Sequence, residues 1–162
     1  MPTQSVYQVR FDWAAAGAES IGDGADAVVW VDQLAATEVA VAQHPLVVSG
    51  SIQNRAAVAR WVLDRQAERG DRFTVAVVAA GERRADGSPR FAVEDLLGAG
   101  AVIDALAAVG IDYCSPEAAA ACAAYTSLAG AAAHLISASE SGLALARPLL
   151  DLDPIDEVRL LS

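Results

Sequence analysis

The chain alternates between short apolar runs and longer stretches whose apolar residues recur every three or four positions. Ala27-Val28-Val29-Trp30-Val31 is apolar throughout and stops at Asp32, as expected of a strand buried on both faces of a parallel sheet. Leu46-Val47-Val48, ending at Ser49-Gly50-Ser51, and Phe73 to Val78, running into Ala79-Ala80-Gly81, read the same way. Val6 to Phe11 alternates in character and predicts another strand. Between it and Ala27, the stretch Ala14 to Asp26 holds Gly17, Gly22 and Gly24, and is expected to be a loop with at most a helical turn.

The helical pattern is clearest from Ile52 to Glu68. Ala56, Ala59, Val62, Leu63 and Ala67 fall on one face there, and Gly70 stands where a C-cap would. Val93 to Val109, closed by Gly110, predicts a second long helix. Pro116 opens an alanine-rich helix to about Leu128. Shorter helical pieces are expected at Leu34 to Ala42, Ala131 to Ile136 and Leu143 to Leu150, with Pro148 cutting the last, and Glu157 to Leu161 as a closing strand. Strands alternating with helices predict one α/β domain over residues 1–162. Its expected architecture is three-layer α/β/α, a mostly parallel or mixed sheet covered by helices on both faces.

Composition narrows the class. Apolar residues make up 54% and charged residues 20%, enough side chain to build a core and too much for a disordered chain. The longest apolar candidate for a membrane span, Ala118 to Ile136, is broken by Tyr125, Thr126, Ser127, Gly130 and His134. The N-terminus has neither basic flank nor apolar core, so the expected compartment is the cytoplasm. Cys114 and Cys122 lack zinc-finger spacing and read as free thiols. The net charge is −10, and all eleven basic residues are arginines. That charge argues against nucleic-acid or anionic-membrane partners. It also means that a phosphorylated substrate would need a local positive centre. The size and apolar content are compatible with a homodimer.

In parallel α/β sheets, ligands bind beyond the carboxyl ends of the strands. Three such ends carry polar chemistry. Asp32 follows the first buried run; Gly50 and Ser51 follow the second, with Asn54 and Arg55 at the next helix start; Gly81 follows the third, with Glu94 and Asp95 opening the next helix. Free N–H groups at a helix start attract phosphate, Gly50 would admit close backbone approach, and Arg55 would offer a two-pronged contact. Asp32, Glu94 and Asp95 are hard oxygen ligands suited to Mg2+. Plainer readings stand beside these: Ser51 and Asp32 as helix caps, Glu94 and Asp95 as complements to a helix dipole. Arg83-Arg84 reads as solvated surface, His44 and His134 as structural, and Ser137 to Gly142 as a turn with an N-cap.

The order of segments resembles the 2-phosphosulfolactate phosphatase family. Ala27 to Thr37, with Asp32 after its buried strand, is similar to that family's Asp-Val-Leu-Arg-Ala-Thr segment, with Ala35 at the arginine position. Gly50-Ser51-Ile52-Gln53-Asn54-Arg55-Ala56-Ala57-Val58-Ala59 resembles its Gly-Ser-x-x-Asn segment. Ala79-Ala80-Gly81 with Phe91 to Gly100 resembles its Ala-Gly loop and Glu-Asp helix. Ser139-Glu140-Ser141-Gly142 looks like its late Ser-x-Ser-Gly segment, with Asp151 at an acidic position. The resemblance implies a magnesium-dependent phosphatase acting on 2-phosphosulfolactate or a similar small acidic phosphomonoester, in coenzyme M biosynthesis or a related sulfonate pathway. Asp32 and Glu94 would then be catalytic. Asp32, Glu94 and Asp95 would hold the metal, and Gly50, Ser51, Asn54, Arg55 and Gly81 the phosphate. Only about a dozen residues separate Thr37 from Gly50, where the family carries a longer segment with further motifs. A second reading therefore stays open: a non-catalytic member binding an anionic metabolite or a protein partner.

Overall fold

The computed structural model describes residues 3–34, 44–146 and 149–162. Strands β1 (Val9–Trp13), β2 (Ala27–Val31), β3 (Val47–Gly50) and β4 (Val75–Ala79) form one sheet, and β5 (Glu82–Arg83) pairs with β6 (Pro89–Arg90) as a small antiparallel ribbon. The helices are α1 (Ala14–Gly22), α2 (Arg55–Arg69), α3 (Val93–Ala108), α4 (Pro116–Leu128), α5 (Ala132–Ser137) and α6 (Glu140–Ala144). The sheet order is β1-β4-β2-β3 and every pairing in it is parallel.

Strand residues alternate between two cores because side chains of a strand point to opposite faces. Val28 and Trp30 of β2 and Ala76 and Val78 of β4 pack with Ala18 and Ile21 of α1. Val29, Val31, Val75 and Val77 face the other way, onto Val58 and Val62 of α2, Val102 and Leu106 of α3, and Ala121 of α4. The result is the expected three-layer α/β/α arrangement. The β2 and β4 strands are buried along their whole length, which is why they read as unbroken apolar runs.

The predicted boundaries shift in places. The first strand is Val9–Trp13 rather than Val6 to Phe11, and Ala14–Gly22 is a helix rather than a loop. Gly17 is the cause of the second misreading. A Cβ there would stand 2.8 Å from the Asp12 Cβ, so this glycine lets α1 close onto β1 rather than breaking it. Gly70 does cap α2, in the left-handed region at φ 70°. Ser115 caps α4, accepting from Ala118 N–H, worth about 1 kcal/mol. A Cβ on Gly100 would run into the backbone of Ala121, so glycine is what lets α3 and α4 pack closely. Leu34 to Ala42 lies largely outside the described residues, as does the Pro148 break. Among its described residues, the predicted last helix is helical only at its start, within α6.

Glu157 to Leu161 forms no full strand, yet it runs along the outer edge of β3. Arg159 O accepts from Ser49 N–H, Leu161 N–H donates to Val47 O, and Leu160 forms an antiparallel bridge with Val48. The helical run Pro116–Ala144 is, by length and mean hydropathy of 1.4, apolar enough to cross a membrane. This differs from the sequence expectation, which treated its polar interruptions as decisive. The run is divided by a 3-10 turn at Ala129–Ala131 and by the Ser139 cap, and α4 lies against α3 through Ala118, Ala121 and Tyr125.

Candidate active site

Register decides what meets at the carboxyl edge of the sheet. Trp13 pairs with Ala79, Ala79 with Val31, and Val31 with Gly50, so all four strands end level. Strands β4, β2 and β3 are neighbours, so Gly81, Asp32 and Ser51 emerge side by side. The rim gathered by the switch-point rule is therefore present.

Asp95 ties that rim to α3. It is buried at 1% exposure; its Oδ1 accepts the Gln33 N–H at 2.8 Å and its Oδ2 the Gly81 N–H at 2.9 Å. One carboxyl group thus clamps the turns after β2 and β4 onto the first turn of the helix. Gly81 is in the left-handed region at φ 67°, which suits glycine and aims its N–H inward. Burial pushes the Asp95 carboxyl up to about 8; the Gln33 N–H opposes this by favouring the charge, while Asp32 and then Glu94 add repulsion. Asp32, after β2, and Glu94 and Asp95, in the first turn of α3, therefore share one neighbourhood.

Glu94 is the exceptional group. It is 2% exposed, and neither carboxyl oxygen has a hydrogen-bond partner among the described residues. Buried polar atoms are nearly always paired, so an orphan asks for a ligand or a cost. The helix N-terminus supplies some compensation through its dipole, and no more. Among the described residues there is no ready-made group of three or more His, Cys, Asp or Glu placed to hold a metal.

The proposed phosphate residues divide. Ser51 is at the rim, but its N–H and Oγ both meet Asn54 Oδ1. Asn54 Nδ2 donates to Ser49 O and Glu157 O, so this amide is spent on bracing the loop. Gly50 is glycine for packing: a Cβ there would stand 2.5 Å from Val29 Cγ1. Arg55 donates to Ile52 O at 2.6 Å and lies 5.9 Å from the Tyr125 ring centroid. The Gly81 N–H is committed to Asp95.

Sequence reasoning passed over three rim residues. Gln33 links the turns, accepting from Ile52 N–H at 2.9 Å and donating to Gln53 Oε1 at 2.7 Å. Its place directly after Asp32 was the available signal. Trp13 packs at a tilt against Phe91, with ring centroids 5.4 Å apart, and covers Gly81 at 3.5 Å from its would-be Cβ. Arg90 reaches α6, where Nη2 donates to Ser141 Oγ at 2.9 Å; nothing local in sequence joins residues so far apart. A separate open hollow of about 370 Å³, lined by Gln8, Gln66, Gly70, Asp71 and Arg72, lies at the opposite, amino end of the strands.

Fold and rim together define an α/β protein with an acidic site at the carboxyl edge of a parallel sheet. The chain belongs to the 2-phosphosulpholactate (2-phosphosulfolactate) phosphatase family, whose model matches residues 22–154. No curated protein matches it. The family places it among phosphatases, hydrolases of a small phosphorylated substrate.

Proposed function

We propose that this chain hydrolyses 2-phosphosulfolactate, or a closely similar phosphorylated 2-hydroxy acid, with the help of Mg2+. The observation that carries the reading is the buried Glu94 carboxyl with both oxygens unpartnered at the carboxyl edge of the sheet. A divalent cation fits that donor set. Glu94 and Asp32 supply hard oxygens, and Mg2+ asks for only one or two protein carboxylates before water and substrate phosphate complete its shell. When bound, the ion would offset phosphate charge and polarise the ester for attack. Asp95, with both oxygens taken by backbone N–H groups, serves as the clamp that sets Glu94 and Asp32 in place.

The remaining work falls to the chain itself. The guanidinium nitrogens of Arg55 beyond the one bonded to Ile52 O would receive phosphate oxygens at the turn after β3. The Trp13 ring lies over Gly81 on one side of the rim, and the lower dielectric of its apolar surface strengthens charge contacts beside it. Charge on the three equatorial oxygens in the transition state is what such a site must match. We further propose a cytoplasmic setting for it.

The test is phosphate release from 2-phosphosulfolactate by the purified chain with and without Mg2+, beside Asp32→Asn. Turnover that needs Mg2+ and falls at least 100-fold in the variant is expected, in line with loss of roughly 3 kcal/mol of transition-state stabilisation. Equal rates for the two proteins would remove Asp32 from the site.

A further inference from the structure

Arg90 has no part in the reading above, yet its main chain lies against the Gly81 turn at the carboxyl edge of the sheet. Its carbonyl oxygen lies 3.6 Å from where a Gly81 Cβ would stand, and the Gly81 N–H is the donor to Asp95. Phe91 and Ala92 lead from it into α3, with Glu94 four positions on. The Arg90 side chain is 17% exposed, and its Nη1 stands 3.3 Å from Glu140 Oε2, whose own side chain is 76% exposed. Ser141 Oγ, in a buried serine, accepts from Nη2. The pairing is lopsided: a largely desolvated cation faces a carboxylate that sits in water, and such partners are weakly held.

Resting on the phosphatase reading, we propose that Arg90 is the specificity residue for the substrate's second acid group, a carboxylate, which displaces Glu140 from the guanidinium. Three observations converge. The rim is acidic in a protein of net charge −10, so a substrate carrying a carboxylate beside its phosphate needs a cation of its own. The Arg90 main chain adjoins Gly81, and its guanidinium is largely desolvated. It already carries a carboxylate oxygen, from Glu140, so the chemistry it accepts is on display. The planar guanidinium fork suits a carboxylate better than a lysine would.

The test compares 2-phosphoglycerate with glycerol 2-phosphate, which differ by one carboxylate replaced with a hydroxymethyl group. Steady-state kinetics and calorimetric binding are measured on wild type, Arg90→Gln, Arg90→Lys and Glu140→Gln, each checked by thermal melting. In Arg90→Gln, the preference for the acid in kcat/KM should fall about 10- to 100-fold, as loss of a charge-assisted hydrogen bond implies. Arg90→Lys should recover only part of it. Glu140→Gln should lower KM for the acid, because the competing carboxylate is gone. Equal losses on both substrates in Arg90→Gln would overturn the proposal and leave Arg90 a structural tie to α6. If Arg90→Gln does not fold, an unchanged acid preference in Glu140→Gln overturns it instead. Wild type that prefers the acid in binding but turns over neither would fail the phosphatase reading alone. No preference in binding or turnover would fail the Arg90 assignment.

Discussion

Replacing Glu94 by methionine should make the metal-free protein more stable. An unpartnered buried polar group costs about 1–3 kcal/mol, and more when charged, and both Glu94 oxygens are in that state among the described residues. Methionine is unbranched, of similar length and adaptable, so it fills the same space without needing a partner. Against this, Glu94 lies in the first turn of α3, where a negative charge gains about 0.3–1 kcal/mol from the dipole. The cost outweighs the gain, for a net stabilisation of about 1–2 kcal/mol. In a chain of this size that corresponds to a melting temperature roughly 2–8 °C higher. Scanning calorimetry in a chelator, then across an Mg2+ titration, reads both halves of the argument. Wild type should gain with added Mg2+, by about 2.7 kcal/mol at a hundredfold excess over Kd, while the variant should gain nothing, so the two stabilities cross. A Glu94→Met protein less stable than wild type in chelator would mean that the carboxyl already has a partner. Equal gains from Mg2+ would place the ion elsewhere.

Asp95→Ala should destabilise the fold by about 1–3 kcal/mol in urea titration, because the Gln33 and Gly81 N–H groups would lose the carboxyl oxygens to which they donate. Gly100→Ala should lower the melting temperature, since overpacking typically costs about 1–3 kcal/mol and the new Cβ meets the Ala121 backbone; an unchanged value would mean that α4 is free to move. Truncation after Pro154 removes the donors and acceptors that Ile155, Arg159 and Leu161 give to Gln53, Ser49 and Val47, baring the β3 edge. Light scattering should then show concentration-dependent association, and a monodisperse truncated chain would argue that the edge is covered otherwise. Burial, first of all, raises the pKa of Cys114 and Cys122 above the ordinary thiol range. A raised value means less thiolate at a given pH, so a thiol reagent at pH 8 should react more slowly than with free cysteine, and faster as pH climbs.

The strands at β2 and β4 were legible because both faces are buried, leaving apolar runs that no other element produces so compactly. Their ends were legible for the same reason: Asp32 and Gly81 are where the apolar runs stop. What the sequence hid was which glycines break structure and which permit packing. Gly17 and Gly50 both look like turn residues until Asp12 and Val29 are seen against them. Loop chemistry was hidden too, since Asn54 reads as a phosphate ligand until its amide is found bonded to Ser49 and Glu157. The Asp95 clamp and the Arg90 tie depend on long-range partners, Gln33 and Gly81 for one and Glu140 and Ser141 for the other, which no local pattern announces.

The central claim is that the acidic rim is a metal-assisted phosphatase site. It is tested most directly by phosphate release from 2-phosphosulfolactate at saturating Mg2+, comparing wild type with Glu94→Gln, a change that keeps the side chain's shape and removes its charge. The account predicts Mg2+-dependent turnover in wild type and a loss of at least 100-fold in the variant, with both proteins folded. Turnover that ignores Mg2+ and the Glu94 charge would contradict it, and so would a folded wild type that binds the substrate and releases no phosphate.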